Sequence, residues 1–271
     1  MESNVKVRKN IEVEEKKVLD LAAYAGHVLL ENGAEIFRVE ETIEKIAHAY
    51  GLKGENSFVL SSGIFLTEET SNHSIYANVK HIPLNSVHLE RVAKVNQLSR
   101  EISDGKYTID EAMEQLERIA HEKDSGKVKQ MLAYGMGSGC FCSLFGGSIR
   151  DSLAAFLCGI LLFWFLYAFR LRKQNTSKIV LNILSGALVS TISLILWKLH
   201  VATDLDHTII GSIMPLLPGV AFTNAIRDLA NEDYISGTVR MVDAILVAVC
   251  IAIGVGVVYS IYHRIPGGIL L

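Results

Sequence analysis

Two arginines and two aspartates in the C-terminal part of the 271-residue chain have the residue types and spacing to bind a small anion. Arg227 and Asp228 are adjacent, and Arg240 and Asp243 are three positions apart. Guanidinium groups bind carboxylates through paired hydrogen bonds, and a nearby aspartate can hold the arginine or carry a proton. Charges this close to apolar segments usually pair with one another or line a pathway. The sequence therefore predicts a substrate-carboxylate site here, with purely structural ion pairs as the open alternative.

The apolar segment before these charges contains two of the chain's four prolines, Pro215 and Pro218. Proline removes a backbone donor and clashes with the preceding helical turn. Together with Gly219, the two prolines predict an interrupted helix. Because the apolar segment around them is long enough to span a membrane, as described below, the break would lie at mid-membrane. A bilayer tolerates such a break only where protein or a water-filled cavity satisfies the backbone, as at the substrate sites of secondary transporters. A simple kink is the alternative, and the polar residues that follow, beginning near Asn224, favour the transport interpretation.

A second group of polar residues lies between Gly33 and Glu41. Glu35, Arg38 and Glu40 fall in this segment, and Arg38 and Glu41 are spaced to meet on one helix face. Weakly paired charges on a solvated surface would explain the group. The functional alternative is a gate or a subunit contact at the cytoplasmic mouth of a transport pathway.

Catalytic chemistry has no support in the sequence. The chain contains no His-Glu-x-x-His zinc motif, no Gly-x-Ser-x-Gly nucleophile motif and no phosphate-binding Walker loop. We therefore predict no enzyme activity, no catalytic residue, no metal site and no cofactor. The net charge of −3 also argues against a nucleic-acid-binding protein.

The elements that must position these residues differ between the two halves of the chain. Most of the 26 basic and 29 acidic residues precede position 130. Five apolar stretches follow, and each has about the 20 residues that a spanning helix needs. Small residues at every fourth position from Gly135 to Gly147 predict close helix packing in the first stretch. The sequence predicts a polytopic membrane domain over 130–271, with spans at 131–149, 152–169, 179–197, 207–226 and 244–263.

The charged loops between these stretches predict the orientation. The loops at 170–178 and 227–240 carry six Lys and Arg residues, whereas the opposite side carries only Arg150, Lys198 and Arg264. Because cytoplasmic loops are the more basic ones, we place the first set in the cytoplasm. Residues 1–129 then lie on the same side, and the charged N-terminus has no apolar signal segment.

Residues 1–129 predict a cytoplasmic α+β domain, because apolar residues recur with helical spacing at both ends and with alternating spacing between them. Thr108 and Glu111 have the spacing of a capping box at a helix start. The predicted elements are helices at 13–30 and 35–50, a hairpin of strands 57–67 and 74–82 around a turn at 68–73, and helices at 86–102 and 109–121.

Three of these segments resemble motifs of the threonine/serine exporter family, in order and over nearly the whole chain. They are Gly33-Ala34-Glu35-x-x-Arg38-Val39-Glu40, then Phe145-Gly146-Gly147 with Asp151, and Leu217-Pro218-Gly219 with Asn224, Arg227, Asp228 and Ser236-Gly237-x-x-Arg240. Fused members of that family carry a second membrane unit behind the first, whereas this sequence matches the first unit alone. The resemblance therefore implies the larger subunit of the split, two-component form, whose bacterial examples export succinate-type dicarboxylates. It also implies a separate small partner of four or five spans.

The predicted function is a subunit of a secondary-active exporter in the bacterial plasma membrane. Its substrate would be a small anionic or zwitterionic metabolite, either a succinate-type dicarboxylate or threonine and serine. Since no ATP-binding motif occurs, an ion gradient would drive transport. Membrane lipid and the small subunit are the expected partners, and the sequence leaves a homo-oligomer open. The alternative is a membrane-anchored sensor or scaffold whose soluble N-terminal domain binds a ligand or a protein.

Overall fold

The structure is a computed structural model that describes residues 2–52, 55–69, 75–81, 87–123, 125–171 and 177–264. It divides into two compact units. The first combines Met1–Lys123 with Val220–Val242, and the second combines Asp124–Gly219 with Asp243–Leu271. Residues around the C-terminal arginines therefore pack with the N-terminal part of the chain.

Four helices of the first unit enclose an apolar core. Their inward faces bury Leu21, Leu29, Ile43 and Leu116 completely, as the helical spacing of apolar residues predicts. All four predicted helices are present, although the first begins earlier than expected. Their bounds are α1 (Glu2–Glu31), α2 (Ile36–Ala49), α3 (Leu89–Ser103) and α4 (Ile109–Ala120).

A three-stranded antiparallel sheet lies between α2 and α3 in the chain. Its strands are β1 (Glu55–Leu60), β2 (Gly63–Glu69) and β3 (Ile75–His81), with β2 in the centre. The prediction of one strand over 57–67 is wrong, because the chain reverses between Leu60 and Gly63, which pair with each other. The predicted turn at 68–73 lies partly outside the described residues.

The start of α4 confirms the predicted capping box. The backbone N–H of Thr108 donates to the Glu111 carboxylate at 2.9 Å, and the Thr108 hydroxyl accepts from the Glu111 N–H. The Thr108 hydroxyl also donates to the Glu111 carboxylate, at 2.9 Å. The two bonds to the carboxylate, first that from the Thr108 N–H, favour its ionised form and lower the pKa of Glu111.

Three helices of the described residues are long and apolar enough to cross a membrane, and a helix pair bent at a short break raises the number to four. The sequence predicted five spans. The helix at the first predicted span, α5, is not among the candidates, because Lys127, Lys129 and several small residues lower its hydropathy. The helices are α5 (Lys127–Leu144), α6 (Ile149–Leu171), α7 (Lys178–Lys198), α8 (Leu205–Ile213), α9 (Gly219–Ala230) and α10 (Tyr234–Arg264).

The predicted interruption lies between α8 and α9. A short 3₁₀ turn, Met214–Leu216, follows α8, and Leu217 then takes an extended conformation. Pro215 is the second residue of this turn. Leu217 is extended because Pro218 restricts the residue before it to that conformation. The two prolines therefore break the helix as the sequence predicts.

Glycines allow close approach between helices of the second unit. A Cβ atom built on Gly159 would lie 2.5 Å from the carbonyl oxygen of Tyr134, and one on Gly139 would lie 3.0 Å from that of Ser152. Helices α5 and α6 therefore touch through their backbones, which confirms the close packing predicted from the small residues.

Two glycines of α10 provide a matched test of this packing. A Cβ atom on Gly254 would collide with the carbonyl oxygen of Ile183, whereas one on Gly256 would meet nothing within 4 Å. We expect Gly254→Ala to lower the free energy of unfolding by about 1–3 kcal/mol, as overpacking does. Gly256→Ala should not lower it, because alanine favours helix over glycine. Thermal melting of the purified variants measures both effects, and an equal loss in both would contradict the packing.

Candidate functional site

The candidate site is built on the turn between α1 and α2, here called the 33–36 turn. Gly33 has a φ of +82°, a conformation that residues with a Cβ atom rarely adopt. A Cβ atom there would also lie 2.9 Å from the side chain of Val87. Glycine at this position lets the chain reverse. The N–H groups of Gly33 and Ala34 donate to the carbonyl oxygens at the end of α1, whereas the carbonyl oxygens of both residues and the first N–H of α2 bind side chains from later in the chain.

Side chains from α9 and from the first turns of α10 bind these backbone groups. Asn224 donates through Nδ2 to the carbonyl oxygen of Gly33 at 2.9 Å. Arg240 donates through Nη2 to the carbonyl oxygen of Ala34, also at 2.9 Å. The motif near the N-terminus and the motif after the interrupted helix are therefore two sides of one site.

Asp228 completes the attachment at the start of α2. Its Oδ1 atom accepts from the backbone N–H of Ile36 at 3.2 Å, and its Oδ2 atom accepts from Arg240 Nη1 at 2.9 Å. Asp228 and Arg240 are only 1% and 5% exposed. Such a pair is stable only with further hydrogen bonds to both partners, and the 33–36 turn provides them. This is the ion-pair arrangement that the sequence left open.

Arg227 differs from Arg240 in being open to solvent. Its side chain is 58% exposed, and its Nη1 atom pairs with the Glu35 carboxylate, which is 11% exposed. The other oxygen of Glu35 lies 3.5 Å from Arg38 Nε. The expectation that Glu35 lies in the first turn of α2 is wrong, since it is the N-cap residue and makes no capping bond. The spacing suggested Glu41 as the partner of Arg38, whereas in the structure Arg38 pairs with Glu35.

Glu40 links helix α2 to the sheet. Its carboxylate accepts a hydrogen bond from the backbone N–H of Val59 at 3.2 Å. Burial raises the pKa of Glu40, and the charges of Asp233 and Glu44 raise it further, whereas the bond from Val59 acts in the opposite direction. The ionised form is therefore disfavoured in the folded protein.

This pKa shift predicts a pH-dependent effect of Glu40→Gln. A carboxyl group whose pKa is raised on folding stabilises the fold below its unfolded pKa and loses that contribution as the pH rises through the folded pKa. Glutamine can still accept the bond from Val59 and carries no charge. We expect Glu40→Gln to melt at a higher temperature than the parent at neutral pH, and the difference to vanish near pH 4. A difference that grows on acidification would contradict this.

Asp243 belongs to a different contact from the one that its spacing suggests. It is three residues from Arg240, but its Oδ2 atom pairs with Lys178 at 2.8 Å, in the second unit. Both side chains of this pair are partly exposed. Arg240 and Asp243 therefore do not form one carboxylate-binding group.

Asp151 forms a separate buried site in the second unit. It is 1% exposed and accepts from the backbone N–H and the hydroxyl of Ser148 at 2.9 and 2.6 Å. Its other oxygen accepts from the backbone N–H groups of Thr203 and Asp204 at 2.6 and 2.9 Å. Ser148 was not predicted as a partner of Asp151, although the spacing of the two residues is that of a capping box. Thr203 carries no such signal.

The chain is similar to known membrane proteins over most of its length. Residues 20–262 match the sequence model of the threonine/serine exporter family. The pheromone-regulated membrane protein 10 of Pichia sorbitophila is 23% identical over 232 residues, which cover 82% of this chain and 23% of that protein. The chain thus spans about a quarter of that relative's length, and no solved structure matches it significantly.

Two bacterial relatives carry transport names. The probable succinate transporter subunit YjjP of Klebsiella aerogenes is 22% identical over 248 residues, which cover 89% of this chain and 93% of that protein. The threonine/serine exporter of Corynebacterium glutamicum is 22% identical over 246 residues, which cover 88% of this chain and 50% of that protein.

Proposed function

We propose, since the chain belongs to the threonine/serine exporter family, that it is a subunit of a secondary-active exporter in a bacterial plasma membrane. The cargo is a small organic anion or amino acid, either a succinate-type dicarboxylate or threonine and serine. The relatives named for succinate and for threonine and serine support this range. An ion gradient supplies the energy for export.

The observation that carries the proposal is the exposed guanidinium group of Arg227, which lies in α9 about two helical turns after the break. In this structure it holds a carboxylate of the protein itself, that of Glu35. We infer that a substrate carboxylate takes the place of Glu35 on Arg227. Arg240 and Asp228 are buried and paired, so their role is to hold the 33–36 turn in position for this exchange.

The proposed orientation places the N-terminal domain in the cytoplasm. The first unit contains both that domain and the connection between α9 and α10, which supports a location of both on the same side of the membrane. The basic loops predict that this side is the cytoplasmic one. Substrate would then reach Arg227 from the cytoplasm, as export requires.

A separate, smaller membrane protein is the proposed partner. One relative is itself described as a transporter subunit, which supports a complex of two different chains. Affinity purification of the full chain from its own cells should retain a membrane protein of four or five spans. Recovery of the chain without any such protein, in a detergent that preserves its fold, would contradict the two-component form.

The export proposal is tested by measuring efflux of labelled succinate, threonine and serine from cells with and without the gene. We expect faster efflux of at least one of the three when the gene is present, and loss of that difference when an uncoupler collapses the proton gradient. Unchanged efflux of all three would remove the proposed substrate class.

A substitution at the break in the helix distinguishes an exporter from a membrane-anchored sensor or scaffold. We expect Pro218→Ala to lower efflux several-fold, because restoring a helical residue at the break removes the free backbone groups that Pro218 maintains. Leu217→Ala, which keeps both prolines, is the matched control and should retain most of the activity. A silent Pro218→Ala at normal expression would favour the sensor or scaffold.

A further inference from the structure

The ends of helices α6, α7 and α10 line a pocket of about 460 Å³. Three of its side chains are basic, namely Arg150, Lys198 and His200, and two are aromatic, namely Trp197 and Tyr262. None of the described residues that line it is acidic. The volume falls in the range of ligand-binding pockets, and the composition favours an anion.

The described residues supply no carboxylate to the basic side chains of this pocket. Among them, no ion pair involves Arg150, Lys198 or His200. Asp151 is next to Arg150 in the sequence, but its carboxylate is occupied by hydrogen bonds from Ser148 and the backbone of residues 203 and 204. The positive charge of the pocket is therefore available to a ligand.

The aromatic side chains place the pocket at a membrane surface. Trp197 and Lys198 are the last residues of α7, and Tyr262 lies in the last turn of α10; both helices are apolar enough to span a bilayer. The ring of Trp197 packs edge-on against that of Tyr262, with centroids 6.5 Å apart. Tryptophan and tyrosine at the ends of spanning helices lie at the level of the lipid headgroups.

The backbone holds this cluster in a defined conformation. Lys198 Nζ lies 4.8 Å from the centroid of the Tyr262 ring. His200 has a φ of +58°, which is uncommon for a residue other than glycine. Its backbone N–H donates to the carbonyl oxygen of Trp197 at 2.9 Å, and that of Val201 donates to Leu196 at 3.0 Å. The end of α7 and the hydrogen-bonded turn after it therefore present Lys198 and His200 at one surface.

We infer that this pocket binds the phosphate group of an acidic phospholipid. Basic pockets between membrane helices bind anionic headgroups by charge attraction, and the guanidinium group of Arg150 can donate two hydrogen bonds to one phosphate. Lys198 approaches from the end of α7 and His200 from the turn after it, and the acyl chains continue along the apolar helix surfaces. The pocket shares no residue with the Arg227 site.

The test uses the full chain, purified in a neutral detergent, and the variant Arg150→Gln/Lys198→Gln. Binding of phosphatidylglycerol, phosphatidylcholine and inorganic phosphate is measured separately by native mass spectrometry and by the shift in melting temperature. We expect the parent to bind phosphatidylglycerol and to ignore phosphatidylcholine. The double variant should bind phosphatidylglycerol about 30-fold more weakly, since each basic side chain near a headgroup contributes a factor of about five.

Two further variants keep the test decisive. Lys129→Gln removes one exposed basic residue that does not line the pocket, and it should bind phosphatidylglycerol like the parent. Lys198→Gln alone should show an intermediate affinity and serves if the double variant does not fold. If the parent binds inorganic phosphate but no phosphatidylglycerol, the pocket binds a soluble anion and the lipid proposal is wrong. If the parent and the double variant bind phosphatidylglycerol and inorganic phosphate equally well, the pocket is not the binding site.

Discussion

Replacing Arg240 by methionine is expected to lower the free energy of unfolding by about 3–5 kcal/mol, the usual result of leaving a buried charge without its partner. Asp228 would remain 1% exposed with only the Ile36 N–H to bind it. The carbonyl oxygen of Ala34 would also lose its donor. The variant should melt far below the parent or fail to accumulate as a folded, detergent-soluble protein.

The double variant Asp228→Asn/Arg240→Met separates the buried charge from the loss of contacts. Because it removes both charges, it should recover part of the stability that Arg240→Met loses. The exposed pair of Lys178 and Asp243 is the matched control, and Lys178→Met should cost no more than about 1 kcal/mol. Thermal melting of the four proteins decides the matter. An Arg240→Met variant as stable as Lys178→Met would contradict the assigned role of the buried pair.

Asp151→Ala is expected to cost about 3 kcal/mol or more, since hydrogen bonds to a charged group contribute about 1.5–3 kcal/mol each. The alanine would leave the backbone N–H groups of Thr203 and Asp204 without the carboxylate that now accepts from both. It would also remove the acceptor of the Ser148 N–H at the start of α6. The connection between α7 and α8 should therefore lose its attachment to α6.

Asp206→Ala is the control for Asp151, because Asp206 also precedes an apolar helical segment but is exposed. It should change the melting temperature only slightly. Asp151→Asn adds a further comparison, since its amide oxygen can accept from one N–H while its NH₂ group faces other donors. We expect it to melt between the parent and Asp151→Ala. An Asp151→Ala variant that melts with Asp206→Ala would exclude the structural role.

The features that the sequence predicted well are those that local chemistry decides. Pro215 and Pro218 interrupt a helix through their own rings and missing N–H groups, and Thr108 caps α4 through a residue three positions away. The split of the predicted strand 57–67 was missed although Ser61, Ser62 and Gly63 are residue types that favour a turn. The apolar residues on both sides keep the same alternation, so the segment resembles one continuous strand. The first predicted span was accepted on its run of uncharged residues, although its small and polar side chains make it only weakly apolar.

The candidate site was predicted in its residues and not in its contacts. Spacing cannot show that Arg240 binds Ala34 or that Asp228 binds Ile36, because these partners are remote in the sequence. Spacing also grouped Asp243 with Arg240, whereas Asp243 pairs with Lys178, which is more distant in the sequence. Residue type and motif order thus predicted the members of the candidate site, and the fold shows which of them are in contact.

The 33–36 turn also has a consequence for biosynthesis. Its partners are 191 and more positions later in the chain, as in the bond from Asn224 to Gly33. A ribosome must therefore make α5 to α8 before the residues that bind this turn exist. Until then the backbone groups of residues 33–36 lack these partners, and the first unit is incomplete. The first unit can therefore be completed only after the intervening apolar helices have been synthesised. A chain truncated before residue 224 would keep the 33–36 turn without these partners.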